Sequence, residues 1–152
     1  MNAELLQFES AGCKWWRKPL VLHDERTLPA ELAILALELR AGESGVWLNS
    51  RSLDSGVADL VSTKLGEFKT KRIPLPAFVS EQLKQLYLKT NVKKGCPDLV
   101  IWNLKAMLMR LVEVKCPHWD RPSQEQNQFI EAAELSGIRA KIVEWEFQGV
   151  IG

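Results

Sequence analysis

Cysteine is scarce in this sequence, and what there is does not pair. Cys13, Cys96 and Cys116 form an odd set with no C-x-x-C spacing, which argues against a disulfide framework and fits a reducing compartment. Structural zinc is disfavoured for the same reason, because Cys116 and His118, with Cys96 apart from them, lack the two close ligand pairs that tetrahedral sites normally carry. Long apolar runs are missing too. No segment approaches the roughly 20 apolar residues that cross a bilayer, and the start, MNAELLQFES, lacks the basic-then-apolar order of a secretory signal. No membrane partner is expected, and the cytoplasm is the expected location. Charge of one sign is not in excess either: 20 Lys and Arg against 19 Asp and Glu leave a formal net charge of +1. That average neither requires nor excludes a polyanionic partner, since a local patch is enough to steer one. No internal repeat or low-complexity segment occurs.

What is present suffices for one domain. A chain of 152 residues buries about 70% of its unfolded surface, so residues 1–152 are expected to share one core. Basic residues gather at Lys64, Lys69, Lys71 and Arg72, and again at Lys89, Lys93 and Lys94.

The first segment, FESAGCKWWRKPLVLHDERT, reads as an N-terminal arm (1–24) with one short strand or helix. TLPAELAILALELRAG predicts a helix, with Pro29 in its first turn, Leu32, Leu35, Ala36 and Leu39 on an apolar stripe, and Gly42 as the stop. ESGVWLNSRSLDSG reads as a loop with a brief strand, and VADLVSTKLGEF as a second helix. Pro74 and Pro76 bracket a break before the helical spacing of AFVSEQLKQLYLKT.

DLVIW and MLMRLVEVK are β-rich runs joined by the polar NLKA, a hairpin pattern. Ser123 and Gln126 form a capping-box pattern that opens a helix over QEQNQFIEAAELS; Gly137 closes it, and IRAKIVEWEF follows as a strand. The expected fold is α/β, a small mixed sheet flanked by helices on both faces, because the hairpin strands are apolar on both sides.

Within that hairpin, Asp98 precedes a buried run. Pairing Trp102 with Met107 sets Asp98 opposite Leu111 and brings Glu113 and Lys115 onto the same face, with Glu113 within the roughly 7–8 Å of a diagonal neighbour. Two unpaired carboxylates at the edge of an apolar sheet are costly, so a cation is their natural partner. A hard ion, Mg²⁺ or Mn²⁺, suits oxygen ligands and phosphate chemistry. The competing interpretation is a Glu113–Lys115 surface pair on an edge strand.

Pro97–Asp98 followed by Glu113 to Lys115 resembles the P-D…(D/E)-x-K pattern of restriction-type nucleases. The wider run, GCPDLVIWN, LVEVKCPHWDRPSQEQ and SGIRAKIVEW, resembles the VRR-NUC family, the virus-type replication-repair nucleases, and is similar to the nuclease domain of the Fanconi-anaemia-associated type; the likeness is best over 94–147. The resemblance implies a restriction-endonuclease-like core in which Asp98, Glu113 and the Val114 carbonyl hold the metal, Lys115 is the catalytic lysine, and Gln126 of DRPSQEQ lies near the active centre. It also implies a glutamate from the first helix, where Glu25 is favoured, Glu31 is the alternative, and His23 would lie close by. Lys93, Lys94 and Arg121 are the expected DNA contacts. Cys116 stands where the family usually has glycine and would narrow the approach of DNA. Trp119 either stacks on a base or plugs the core.

The function implied is a metal-dependent DNA endonuclease selective for branched DNA, with a homodimer as a partner state. A second reading is an interbacterial DNase toxin neutralised by an immunity protein and delivered into a target cell's cytoplasm. A third is an inactive module that binds DNA or a partner.

Overall fold

The computed structural model describes residues 4–15, 17–48, 53–63, 65–91, 97–118 and 123–149. The centre of the sheet comes from the apolar runs of the C-terminal third. β7 (Leu99–Asn103) and β8 (Leu108–Lys115) pair antiparallel, and α3 (Gln124–Leu135) crosses over so that β9 (Arg139–Phe147) lies parallel to β8. The remaining elements are β1 (Glu4–Trp15), β2 (Lys18–His23), β3 (Arg26–Leu28), α1 (Ala30–Glu38), β4 (Ser44–Trp47), β5 (Ser55–Ser62), β6 (Phe68–Pro74) and α2 (Ala77–Thr90). Among the described residues they form one nine-stranded mixed sheet in the order β3-β2-β1-β9-β8-β7-β4-β5-β6. The mixed sheet flanked by helices is as expected, but it is wide rather than small.

Both faces are covered. Leu99, Ile101, Val112 and Val114 point toward α1, whereas Val100, Trp102, Met109 and Leu111 pack with Leu83 and Leu86 of α2 and Phe129 and Ala133 of α3. Alternation along two-sided strands explains why these runs are apolar throughout. The sheet also curls. Arg26 of β3 donates from Nη2 to Asp59 Oδ1 (2.6 Å) and to the Leu60 carbonyl (3.1 Å) of β5, so strands from distant parts of the sheet meet. The first half of α1 lies inside this curl, with Ala30 through Leu35 all buried. The expected stripe is therefore wrong in detail: Ala33 and Ile34 are buried, while Ala36 and Leu39 are exposed. A helix wrapped on several sides needs an apolar surface wider than one stripe.

Three other expectations fail for identifiable reasons. The N-terminal arm is two strands of the sheet. Glu4–Phe8 of β1 pair parallel with β9, Glu9–Trp15 pair antiparallel with β2, and the register breaks between Ser10 and Lys14, where Gly12 takes φ 73°. VADLVSTKLGEF contributes strand β5, not a helix. A bulge between Val57 and Asp59 brings Val57 and Leu60 both into the core, so a strand acquires the three-residue spacing of a helix. In the hairpin, Trp102 pairs with Met109, not Met107. The turn is longer because Asn103 Oδ1 accepts from the Ala106 N–H at 3.0 Å and Met107 adopts φ 55°. The shift is of two residues, so every side chain keeps its face.

Candidate active site

Asp98 sits one residue before β7, where extension of the Leu99↔Val112 register sets it opposite Glu113. The two residues clasp each other through the backbone. The Asp98 N–H donates to Glu113 Oε1 at 3.1 Å, and the Val114 N–H donates to Asp98 Oδ2 at 2.8 Å. Lys115, one pleat beyond Glu113 on the same face, brings its Nζ to 4.0 Å from Glu113 Oε2. Glu113 and Lys115 are only 2% and 6% exposed, which rules out the surface-pair alternative. Asp98 is further fixed by the strand beside it, since its carbonyl accepts from the Leu48 N–H at 2.8 Å.

Burial is the main force on both carboxyls. It pushes Asp98 up to about 6, opposed by the Val114 hydrogen bond and reinforced by the nearby Glu31 charge. It drives Glu113 well above the usual carboxylate range, with repulsion from Asp98 adding to the effect and Lys115 opposing it. Glu113 Oε2 is buried and, among the described residues, accepts no hydrogen bond. A buried oxygen in that state carries a desolvation cost that a cation would relieve. The donor set is hard oxygen, the kind that Mg²⁺ and Mn²⁺ take, and the residues fit such an ion. Among the described residues no three Asp, Glu, His or Cys side chains form a ready-made metal cluster. An ion here would thus take two adjacent carboxylates first and draw further ligands from backbone, water or Glu31.

The glutamate that the first helix itself carries is Glu31. It lies in the first turn of α1, is buried, and receives Lys18 Nζ at 2.6 Å on Oε2. Glu25 is not on the helix. It occupies the β2–β3 turn with φ 61°, next to Asp24 at φ 49°, and its exposed side chain lines a recess with Thr27, Val61 and Phe68. The preference for Glu25 is thereby reversed on position. His23 lies edge-on to Phe8, 6.2 Å between ring centres, with Nε2 3.5 Å from Asp24.

Gln126 opens α3, and its side chain is committed locally. Its Oε1 accepts from the Ser123 N–H (2.9 Å) while its own N–H donates to Ser123 Oγ (3.1 Å). The capping box is real, and the fold does not turn that side chain onto the carboxylate pair. Cys116 is buried in the core on the α1 side of the sheet, opposite to Lys115 by alternation, so it does not narrow the approach. His118 pairs with Glu146 at 3.0 Å. Lys93, Lys94, Arg121 and Trp119, and with them Lys64 and Cys96, lie outside the described residues.

One contact was not anticipated. Lys18 reaches Glu31 from the β1–β2 hairpin, with Nζ 2.6 Å from Oε2 and 5.6 Å from the centre of the Trp47 ring. No local spacing marks it, because the contact joins segments that only the curl of the sheet brings together.

A hairpin with an Asp at its entry and Glu-x-Lys on its second strand, followed by a crossover helix and a parallel strand, defines a domain of the PD-(D/E)xK type. The VRR-NUC domain model matches residues 67–145, just over half of the sequence, and the chain belongs to the VRR-NUC family. It is 32% identical over 100 residues to the Fanconi-associated nuclease 1 homolog of Caenorhabditis briggsae. That match takes in 64% of this chain and 10% of the relative, so the chain spans about a tenth of that protein's length. Among solved structures it is similar to paFAN1 bound to 2nt 5′-flap DNA with a gap, at 19% identity and a TM-score of 0.38, over 47% of this chain and 14% of that one.

Proposed function

We propose that the chain is a metal-dependent DNA endonuclease that hydrolyses phosphodiester bonds, with branched or flapped DNA as its preferred substrate. The observation that carries this reading is the clasped Asp98–Glu113 pair beside Lys115, in a chain whose family is one of nucleases. Asp98, Glu113, the Val114 carbonyl and Glu31 would hold a Mg²⁺ or Mn²⁺ ion, which when bound supplies Lewis-acid activation of the phosphate and of water.

The chain's own groups do the rest. The Val114 N–H holds Asp98 in one orientation, and the Asp98 N–H does the same for Glu113, so neither carboxylate has to reorganise when a cation or phosphate arrives. The Lys115 ammonium, a compact charge in a nearly dry setting, stabilises the negative charge that develops on the phosphate oxygens and orients the attacking water. Gln126 acts through α3, holding the helix start by its capping box, so it serves position and not proton transfer.

The test is a panel of linear, flapped and four-way DNA incubated with Mg²⁺, with Mn²⁺ and with EDTA. Cleavage that requires a metal and favours the flapped or four-way substrate is expected; a panel left intact under every condition would contradict the assignment.

A further inference from the structure

A cleft of about 490 Å³ opens where β9 begins, between the segment after α1, the α3–β9 turn and the first half of β8. Its floor is apolar, with Leu111, Ile138 and Ala140 all buried, and four cations line it: Arg40, Arg110, Arg139 and Lys141. Two of them are engaged by the fold. Arg110 donates to Glu38 Oε1 (3.0 Å) and Glu43 Oε1 (2.9 Å), and Lys141 Nζ lies 2.8 Å from Glu38 Oε1, so two carboxylates already balance two cations. Arg40 and Arg139 are left over. Both are exposed, and among the described residues neither guanidinium has an ion pair or a hydrogen bond. Glu134, the acid on the cleft wall, is exposed and pairs with neither. Arg139 also lies beside Arg110 in the β8–β9 register, and like charges on neighbouring strands repel. A second cleft of about 390 Å³ shares Arg40, Arg110, Gly137 and Arg139 with the first, so the spare guanidiniums stand where the two meet.

We propose that this cleft binds a nucleotide, its phosphate held by Arg40 and Arg139 and its sugar and base lying on the floor of Leu111, Ile138 and Ala140. A guanidinium presents a rigid fork of donors that matches a phosphate bidentately, and a phosphate offsets the surplus charge. The volume is that of a pocket for a small organic ligand, and its apolar floor with a few convergent polar groups is the usual lining of such a pocket. A bare anion would leave the floor unused, and a purely apolar ligand would leave the arginines unneutralised. The same chemistry serves a free nucleotide or one unit of a DNA strand. No metal takes part, so the cleft is independent of the cleavage proposed above.

The test uses the whole chain in EDTA, where no metal contributes. Calorimetry with deoxyadenosine monophosphate, deoxyadenosine and inorganic phosphate is paired with anisotropy of labelled flapped DNA. The proteins are wild type, Arg40→Gln, Arg139→Gln, the double variant, and Lys69→Gln/Lys71→Gln as a charge control on edge strand β6, where both lysines are exposed. For a free nucleotide, the monophosphate binds wild type about tenfold more tightly than either fragment, and each arginine substitution weakens it about tenfold. For a strand, the free nucleotide gives no heat, while the double variant lowers DNA affinity and reduces the salt slope by about one; the lysine control does neither. Inorganic phosphate bound as tightly as the nucleotide makes the cleft a bare anion site and overturns the proposal. So do arginine variants that bind every probe as wild type does, or a DNA loss no greater than the control's. A change in melting temperature alone assigns the arginines to the C-terminal ends of α1 and α3 and also overturns it. Cleavage in Mg²⁺ is scored separately: a chain that binds through these arginines and cuts nothing keeps this site and loses the endonuclease assignment.

Discussion

Glu113 is nearly inaccessible, accepts from Asp98's backbone N–H and, among the described residues, has one oxygen that accepts no hydrogen bond. Burying a group in that state costs free energy, which a cation would offset in the proposed metal-dependent reading. Replacing it by glutamine keeps the shape and removes the charge, so Glu113→Gln should abolish cleavage and the Mg²⁺-induced rise in melting temperature without lowering the metal-free melting temperature. Calorimetry with and without Mg²⁺ checks both halves. Asp98 gives a pH signature. Its carboxyl titrates near 6 in the fold, against 3.8 when unperturbed, so between those values the native state holds more protons than the unfolded one. Its contribution to metal-free stability is then complete below about pH 4 and is lost as pH rises through about 6. Metal binding needs the ionised form and should strengthen over the same interval, so the Mg²⁺-induced shift in melting temperature should be larger at pH 7.5 than at pH 5. That Asp98, Glu113 and Lys115 share one face was legible in the sequence because two-residue alternation survives a register error of two. Glu31 stood second to Glu25 there, since two successive left-handed residues, Asp24 and Glu25, end the β2–β3 turn later than the histidine-glutamate motif suggests.

Elements were legible where their periodicity was undistorted. α2, α3 with its capping box, and the strands β7, β8 and β9 follow from spacing and end signals; β5 was disguised by its bulge, and β1 and β2 by a break at Gly12. These features give element-level tests. Ser123→Ala removes the side-chain acceptor at the start of α3 and should cost about 1 kcal/mol, lowering the melting temperature by about 2–4 °C while the folded protein still cuts, which separates capping from catalysis. In β5, a Cβ added at Gly56 would come within 2.6 Å of Val46 Cβ and meet the Trp47 carbonyl at 3.2 Å. Gly56→Ala should therefore destabilise by about 1–3 kcal/mol, read as a lower urea midpoint.

Across the whole molecule, the curl of the sheet around α1 sets where the site's groups meet. α1 carries the buried Glu31 in its first turn and is held at its other end by Arg110 of β8. Arg110 donates to Glu38 Oε1 (3.0 Å), the Glu38 carbonyl (2.6 Å) and Glu43 Oε1 (2.9 Å), and Lys141 of β9 joins at 2.8 Å from Glu38. All but Lys141 are largely buried, and the Arg110 hydrogen bond holds Glu43 below the usual carboxylate range. Arg110→Met leaves two buried carboxylates short of their partner and should cost about 3 kcal/mol, visible in urea denaturation. A mixed sheet covered on both faces could be read from strands apolar on both sides. Its width and closure could not, because Arg26 meeting Asp59 depends on bulges and twist that add up along the sheet and leave no local trace.

In the proposed function Asp98, Glu113 and Lys115 act together on a phosphodiester bond. The most direct measurement compares DNA cleavage by wild type, Asp98→Ala and Lys115→Ala in Mg²⁺, with each variant shown to be folded by circular dichroism. Strand breaks are expected with wild type and none above background with either variant; variants that cut as fast as wild type would refute the assigned roles.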